Sequence, residues 1–207
     1  MLRVALTGNV AAGKSTVLAH FVAWGARAID TDQLARQAVE PGSPVLAAIV
    51  AHFGADLQLA DGTLDRAALR RRVIGDDVRR AALDAIVHPE VMRLHAECIE
   101  VARKAGAEIV VSDIPLLFEV LDPDAWDVVV LVDAPEATRR RRLLELRGYS
   151  EAEAADLIGA QLPSGSKRRR SHIVIDNDGS LEALAAGARA AWDRLVAEAA
   201  RRRAARR

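Results

Sequence analysis

The chain has 207 residues, enough for one substantial hydrophobic core with a small added lobe. Basic and acidic side chains balance at 29 each and aromatics are only 3%, which argues against a polyanion-binding surface and against stacking on single-stranded nucleic acid. No apolar run approaches the roughly 20 residues that a bilayer span needs. The single cysteine, Cys98, forms no intramolecular disulfide and fits a reducing compartment as a small apolar side chain. Met1 leads directly into a strand pattern, so the expectation is a cytoplasmic protein without a signal peptide, without nucleic-acid or membrane partners, and monomeric.

Residues 2–6 read as a buried strand and 13–24 as a helix. Between them residues 8–15 read G-N-V-A-A-G-K-S, the phosphate-binding loop pattern G-x-x-x-x-G-K-[ST], which Thr16 extends. Gly8 and Gly13 permit backbone angles that let successive N–H groups of Asn9, Val10, Ala11 and Ala12 turn toward phosphate oxygens. Lys14 supplies a point charge to the outer phosphates, the Ser15 hydroxyl suits Mg²⁺, and the helix start favours an anion. The pattern predicts nucleoside triphosphate binding, with ATP and Mg²⁺ as the expected ligands.

A second strand at 26–29 stops at Asp30-Thr31-Asp32, and residues 33–39 look helical. Pro41-Gly42-Ser43-Pro44 breaks the chain before helices at 44–53, at 65–74 capped near Thr63, and at 77–87. His88-Pro89 is expected to interrupt the last of these, and 90–105 forms a further amphipathic helix. Strands follow at 108–111, before Pro115-Leu116-Leu117, and at 127–132, an almost pure Val/Leu run of the kind buried on both faces. Asp133-Ala134-Pro135 leads into a helix carrying four consecutive arginines, Arg139 to Arg142. Gly148 breaks that helix, Ser150 and Glu153 form a capping box for the next, and Ser164-Gly165-Ser166 reads as a flexible link. A fifth strand at 173–175, the turn Asn177-Asp178-Gly179 and a closing helix complete the chain, and 195–207 reads as a solvated basic tail.

This order predicts an α/β fold with about five parallel strands, interrupted by helical insertions at 40–105 and 136–170. Ligands of such sheets bind at the carboxyl ends of the strands, where Asp32, Asp113, Asp133 and Asn177 fall beside the phosphate loop. A guanine-reading Asn-Lys-x-Asp segment is missing, and Ile114 and Pro115 follow Asp113 where a motor ATPase carries a glutamate. A small-molecule kinase fits better, since phosphoryl transfer needs cations around the γ-phosphate and exclusion of water. Residues 136–170, an Arg-rich helix, a break, a second helix and then Lys167, suit a closing lid. Consecutive arginines splay around a helix, so one or two of them reach the phosphates, Arg139 and Arg142 being the candidates. Asp32 suits the carboxylate that accepts or orients the attacking hydroxyl, with Asp30 as an alternative Mg²⁺ partner and a helix N-cap as the structural role for either.

With these residues assembled, the chain resembles the dephospho-CoA kinase family along nearly its whole length. The matching stretches include Gly13-Lys14-Ser15-Thr16, Ile29-Asp30-Thr31-Asp32 with Ala35-Arg36, and His88-Pro89. Ile114-Pro115-Leu116-Leu117-Phe118-Glu119, Gln161 with Lys167, and Val174-Ile175-Asp176-Asn177-Asp178-Gly179 complete the set. The resemblance implies the three-layer α/β/α fold of P-loop kinases, with the 40–105 insertion as an acceptor-binding lobe and 136–170 as the lid. It implies transfer of the ATP γ-phosphate to the ribose 3′-hydroxyl of dephospho-CoA. Asp32 then lies beside that hydroxyl, while Arg36, His88 and Pro115 to Leu117 line the acceptor side and Asn177 approaches adenine. The alternatives are another small-molecule P-loop kinase, acting on a nucleoside, nucleotide or sugar, and a catalytically weak nucleotide-binding regulator. Asn9 stands where the family usually has glycine, and Ala11-Ala12 replaces a Gly-Ser type pair. Leu146 and Leu157 stand where arginines are common, with Arg147 as a substitute for the first, and Ser171-His172 replaces the usual Ala-Asp. His172 reads as a surface substitution.

Overall fold

A computed structural model describes residues 1–205. The chain divides into two compact units, one of Met1–Ile29 together with Ala102 onward, the other of Asp30–Val101. In chain order the elements are β1 (Leu2–Gly8), α1 (Lys14–Ala23), β2 (Arg27–Asp30), α2 (Thr31–Ala38), α3 (Pro44–Phe53), α4 (Arg66–Val73) and α5 (Asp77–Lys104). They continue with β3 (Ile109–Asp113), α6 (Leu117–Val120), β4 (Val128–Asp133), α7 (Glu136–Arg147), α8 (Glu151–Gly159), α9 (Ser164–Arg169), β5 (Ile173–Asp176) and α10 (Leu181–Ala204).

The five strands form one sheet in the order β2-β3-β1-β4-β5, and β1 pairs in parallel with both β3 and β4. Strand alternation sorts its side chains to two faces. Leu2, Val4 and Leu6 join Val128, Val130 and Val132 in the main core with Val17 and Phe21 of α1 and Leu184 and Leu195 of α10. Ala5 and Val129 point the other way, onto Ile114, Leu117, Phe118 and Trp126. Helices thus cover a parallel sheet, and every residue of β4 is buried as its composition predicts. The register aligns Leu6 with Asp113 and Gly8 with Val132, which brings the ends of β3 and β4 beside the start of the phosphate loop.

The second unit has its own core, in which Val39, Leu46, Ile49, Leu57, Leu64 and Leu69 pack together. It begins at Asp30, ten residues before the insertion expected at 40–105. Four local expectations are corrected here and in the first unit. The helix α5 runs unbroken through Pro89, because one lost hydrogen bond is tolerated between long helix-favouring stretches. The cap of α4 is Asp65, whose Oδ1 accepts the Ala68 N–H at 2.8 Å, while Thr63 is held back by Asp61 in a tight turn. Residues 164–166 are helical, not a flexible link, since the Pro163 carbonyl accepts the N–H and hydroxyl of Ser166 and starts α9. His172 is exposed, yet its Nδ1 accepts the Val129 N–H at 3.0 Å and extends the β4–β5 ladder, so it is more than surface substitution.

The sequence expects a solvated tail at 195–207; α10 continues to Ala204 with most of its last residues exposed, and two of its arginines form ion pairs outside the helix. Arg203 pairs with Glu108, and Arg202 Nη1 lies 2.7 Å from Asp127 Oδ1. Residues 206 and 207 fall outside the described residues. Asp127 also accepts the Arg3 N–H at 2.8 Å, so one carboxylate joins β1, the start of β4 and the last turns of α10. Burial opposes its charge, but the Arg3 N–H and guanidinium and the Arg202 charge outweigh it and hold the carboxyl below its ordinary 3.8. A depressed value in the folded state stabilises above the unfolded value and is lost as pH falls through the folded one. Asp127→Asn is therefore expected to lower unfolding free energy by about 1–2 kcal/mol at pH 7. Urea titrations should show the difference from wild type shrinking as pH drops below 3.8. A difference independent of pH would show that the charge of Asp127 contributes nothing.

Candidate active site

The loop between β1 and α1 is shaped by two glycines for different reasons. A Cβ on Gly8 would meet the Val132 carbonyl oxygen at 2.5 Å, so glycine lets β4 approach the loop closely. Gly13 has φ +95°, and the Asn177 side-chain amide fills the place a Cβ would take. That amide donates to the Ala12 carbonyl at 2.8 Å. Ala11 adopts φ +57°, unusual for a residue with a side chain, and its carbonyl accepts Arg142 Nη1 at 3.2 Å. The first N–H groups of a helix lack intrahelical acceptors and, with the helix dipole, suit an anion, and at the start of α1 the Thr16 N–H is donated back to the Gly13 carbonyl at 3.2 Å.

Lys14, in the first turn of α1, is ion-paired with Asp113 at the end of β3. Ser15 follows with an exposed side chain. The four arginines of α7 separate as their 100° spacing requires. Arg139 turns inward, is 4% exposed and donates Nε to the Ala134 carbonyl at 3.1 Å, with burial lowering its pKa. Arg140 pairs with Glu151, and Arg141 is exposed. Only Arg142 reaches the loop, also donating Nη2 to the Asn177 carbonyl at 3.0 Å. Of the two candidate arginines, Arg139 thus points into the interior and Arg142 toward the loop. Arg142, Asn177, Gly13, Leu146, Arg147 and Leu181 border a groove of about 240 Å³ beside the loop.

Behind the loop lies an arrangement that the sequence did not disclose. Gln161 Oε1 accepts the Val10 N–H at 2.8 Å. Asn9 Nδ2 donates to Ser164 Oγ at 3.1 Å, and that hydroxyl donates to Asp133 Oδ1 at 2.8 Å. Asp133 Oδ2 also faces Arg168 at 2.9 Å, and Arg168 reaches Asp176 at 2.6 Å, two carboxylates that raise its pKa further. Val10 and Ala11 pack against Leu143, Ala154, Leu157 and Ile158, so the apolar departures in the loop and at position 157 face one another. Lys167, which closes the segment read as a lid, is fully buried with Nζ 2.6 Å from Glu119 Oε1. The contact is an ion pair without hydrogen-bond alignment, and Glu119 Oε1 also accepts the Leu162 N–H at 3.1 Å. Gln161 stands out only through the family resemblance, Lys167 and Arg168 only as part of a basic run at 167–170, and no local pattern marks Ser164.

Leu117 is fully buried in the sheet core, while Pro115 and Leu116 are partly exposed, with the Pro115 carbonyl accepting the Thr7 hydroxyl at 3.4 Å. In the second unit Asp30 is the N-cap of α2, its Oδ1 accepting the Gln33 N–H at 3.0 Å. That leaves Asp32 in the first helical turn, exposed and with no ion pair among the described residues. The side chain of Arg36 is exposed, and its carbonyl accepts Arg66 Nη2 at 3.3 Å. His88 lies within α5 with Nε2 3.9 Å from Asp84 Oδ1. Among the described residues no cluster of three metal-ligating side chains occurs, and no helix is long and apolar enough to cross a membrane.

Residues 2–183 match the family model described as Dephospho-CoA kinase. Curated relatives of that name are 43% identical over 196 residues in Mycobacterium tuberculosis (strain ATCC 25618 / H37Rv) and 42% identical over 195 residues in Thermobifida fusca (strain YX). The mycobacterial match covers 95% of this chain but 48% of the relative, so the chain spans about half that length. The Thermobifida match covers 94% of this chain and 96% of the relative. The crystal structure of TT1252 from Thermus thermophilus superposes with a TM-score of 0.81 at 38% identity, covering 95% and 97% of the two chains.

Removing one partner of the buried Lys167–Glu119 pair strands the other charge. Lys167→Met is therefore expected to cost about 3 kcal/mol in urea unfolding, and adding Glu119→Gln to recover part of it. A Lys167→Met protein as stable as wild type would show that the pair holds nothing in place.

Proposed function

The chain belongs to the dephospho-CoA kinase family, and from that premise we propose that it phosphorylates the ribose 3′-hydroxyl of dephospho-CoA with ATP, giving coenzyme A and ADP. This is the last step of coenzyme A synthesis. The observation that carries the reading is the convergence of Lys14, Arg142 and Asn177 on one phosphate-binding loop at the carboxyl end of a parallel sheet.

In this reading the backbone from Gly8 to Thr16 cradles the phosphates through the N–H groups of Asn9 and Ala11 and the start of α1, whereas those of Val10 and Ala12, expected to join them, are already donated to Gln161 Oε1 at 2.8 Å and to the Asn9 carbonyl at 3.0 Å. Lys14 exchanges part of its pairing with Asp113 for the outer phosphates, and Arg142 forks onto charge that develops during transfer. Mg²⁺ suits the exposed Ser15 hydroxyl, and when bound it neutralises charge on the outer phosphates. The groove bordered by Leu146, Asn177 and Leu181 suits an adenine ring. On the acceptor side Asp32 takes the proton as the 3′-oxygen bonds to the γ-phosphorus and ADP leaves. Its exposed, unpaired carboxylate supports that role better than Asp30, which is occupied as a helix cap. Arg36 and His88 offer charge and hydrogen bonds to an anionic acceptor, and Pro115 and Leu116 offer apolar contact, anchored by Leu117. A cytoplasmic, monomeric enzyme fits this chemistry.

The first test is ADP release with purified protein, ATP, Mg²⁺ and dephospho-CoA, with adenosine and simple sugars as control acceptors. Turnover is expected with dephospho-CoA alone and is expected to fall at least about 100-fold in Lys14→Ala. Turnover with a control acceptor would point to a different small-molecule kinase, and ATP binding without any turnover to a nucleotide-binding regulator. Asp32→Asn is expected to lower kcat by roughly 100-fold or more while leaving the ATP KM within a factor of about three. Near-normal kcat in that variant would remove Asp32 from the proton transfer.

A further inference from the structure

The phosphate loop is held from its far side as well as by Arg142 and Asn177. Three successive loop residues each have a partner in the segment from α7 to α9. Asn9 Nδ2 donates to Ser164 Oγ, Gln161 accepts the Val10 N–H, and Arg142 donates to the Ala11 carbonyl. The Asn9 contact is directional. Because Ser164 gives its own proton to Asp133, its oxygen can only accept from Asn9, which fixes the amide with Nδ2 toward Ser164. Asn9 is 4% exposed, so this side chain is committed to the interior, and its Oδ1 has no protein partner. At the other end Asp133 is pinned by Arg168 and by the Ala134 N–H, so Ser164 has a fixed anchor.

We propose that Asn9, Ser164 and Asp133 form a positioning relay that preorders the phosphate loop for nucleotide from the side of the lid. The inference rests on the nucleotide-binding reading above and adds to it residues outside the loop motif. A loop already ordered by side chains loses less freedom when phosphate binds, so the relay acts on nucleotide affinity. Ser164 and Asp133 touch no nucleotide in this scheme; they act through the conformation of Asn9 and its neighbours. The relay belongs to this chain through Asn9, since a glycine at that position has no amide with which to make it.

The test is the dissociation constant for ATP with Mg²⁺, measured by calorimetry on the full chain, together with the unfolding midpoint of each protein. Ser164→Ala and Asn9→Ala are each expected to weaken ATP binding by about three- to tenfold, the size of one hydrogen bond. The double variant is expected to bind no more weakly than the worse single one, because both remove the same contact. Ser164→Thr, which keeps the hydroxyl, is expected to retain wild-type affinity. Unchanged ATP affinity in Ser164→Ala, even with a lowered unfolding midpoint, would overturn the relay and leave Ser164 a structural residue. Independent, multiplying effects of the two substitutions would overturn it equally. Failure of the wild-type protein to bind ATP would overturn the nucleotide reading and the relay together.

Discussion

At Gly13 the backbone turns with φ +95° while the Asn177 amide stands where a side chain would begin, so conformation and space both demand glycine there. The candidate site depends on this turn. It lets α1 start directly against the end of β1, with its open N–H groups at the mouth of the loop. It also lets the β5–α10 turn reach across and hold the Ala12 carbonyl through Asn177. Asn177 is placed in turn by its own N–H, donated to the Asp133 carbonyl at 2.7 Å, a continuation of the β4–β5 ladder. Parallel pairing of β1 with β4 and of β4 with β5 therefore sets the geometry of the candidate site with no long side chain in between.

A second constraint is buried charge. Lys167 of α9 is paired with Glu119 in the interior, and the buried carboxylate of Asp133 at the end of β4 is paired with the exposed Arg168. Each pair joins the segment from α7 to α9 to the sheet region. Ion pairs of this kind add little net stability compared with apolar packing, but they penalise displacement heavily, because a separated partner would remain desolvated. They consequently favour one seating of α7 to α9 over nearby alternatives. The apolar cluster of Leu143, Ala154 and Leu157 with Val10 and Ala11 supplies the less specific attraction that accompanies them.

Much of this was legible in the sequence where the signal is local. The phosphate loop, the five strands, the capping box at Ser150 and the inward run of β4 follow from residue type and spacing. The failures share a physical cause. Proline at position 89 reads as a break and the Ser-Gly-Ser at 164–166 as a flexible link, yet context supplies what each stretch lacks: long helical flanks for the first, and the Pro163 carbonyl with the buried Lys167 for the second. Likewise Asp133, Ser164 and Asn9 are separated by 31 and 155 residues in their hydrogen bonds, a pairing that no local periodicity encodes. The second unit was legible as helical, and its start at Asp30 was missed because Thr31 and Asp32 already belong to a helix capped by Asp30.

The arginine run in α7 shows why composition alone misleads about phosphate chemistry. Four adjacent guanidiniums suggest a uniformly basic surface, but helical geometry sends them in four directions. One is buried against the Ala134 carbonyl, one is matched by Glu151, one faces solvent, and Arg142 alone meets the loop. Arg142 binds carbonyl groups of Ala11 and Asn177, so its planar fork is oriented before any phosphate arrives. Lysine at this position would retain the charge and lose that orientation, since an ammonium on a flexible stem cannot hold two carbonyls in one plane. The charge beside the loop therefore comes from where a single arginine is tethered, and the neutral net charge of the chain is no obstacle to it.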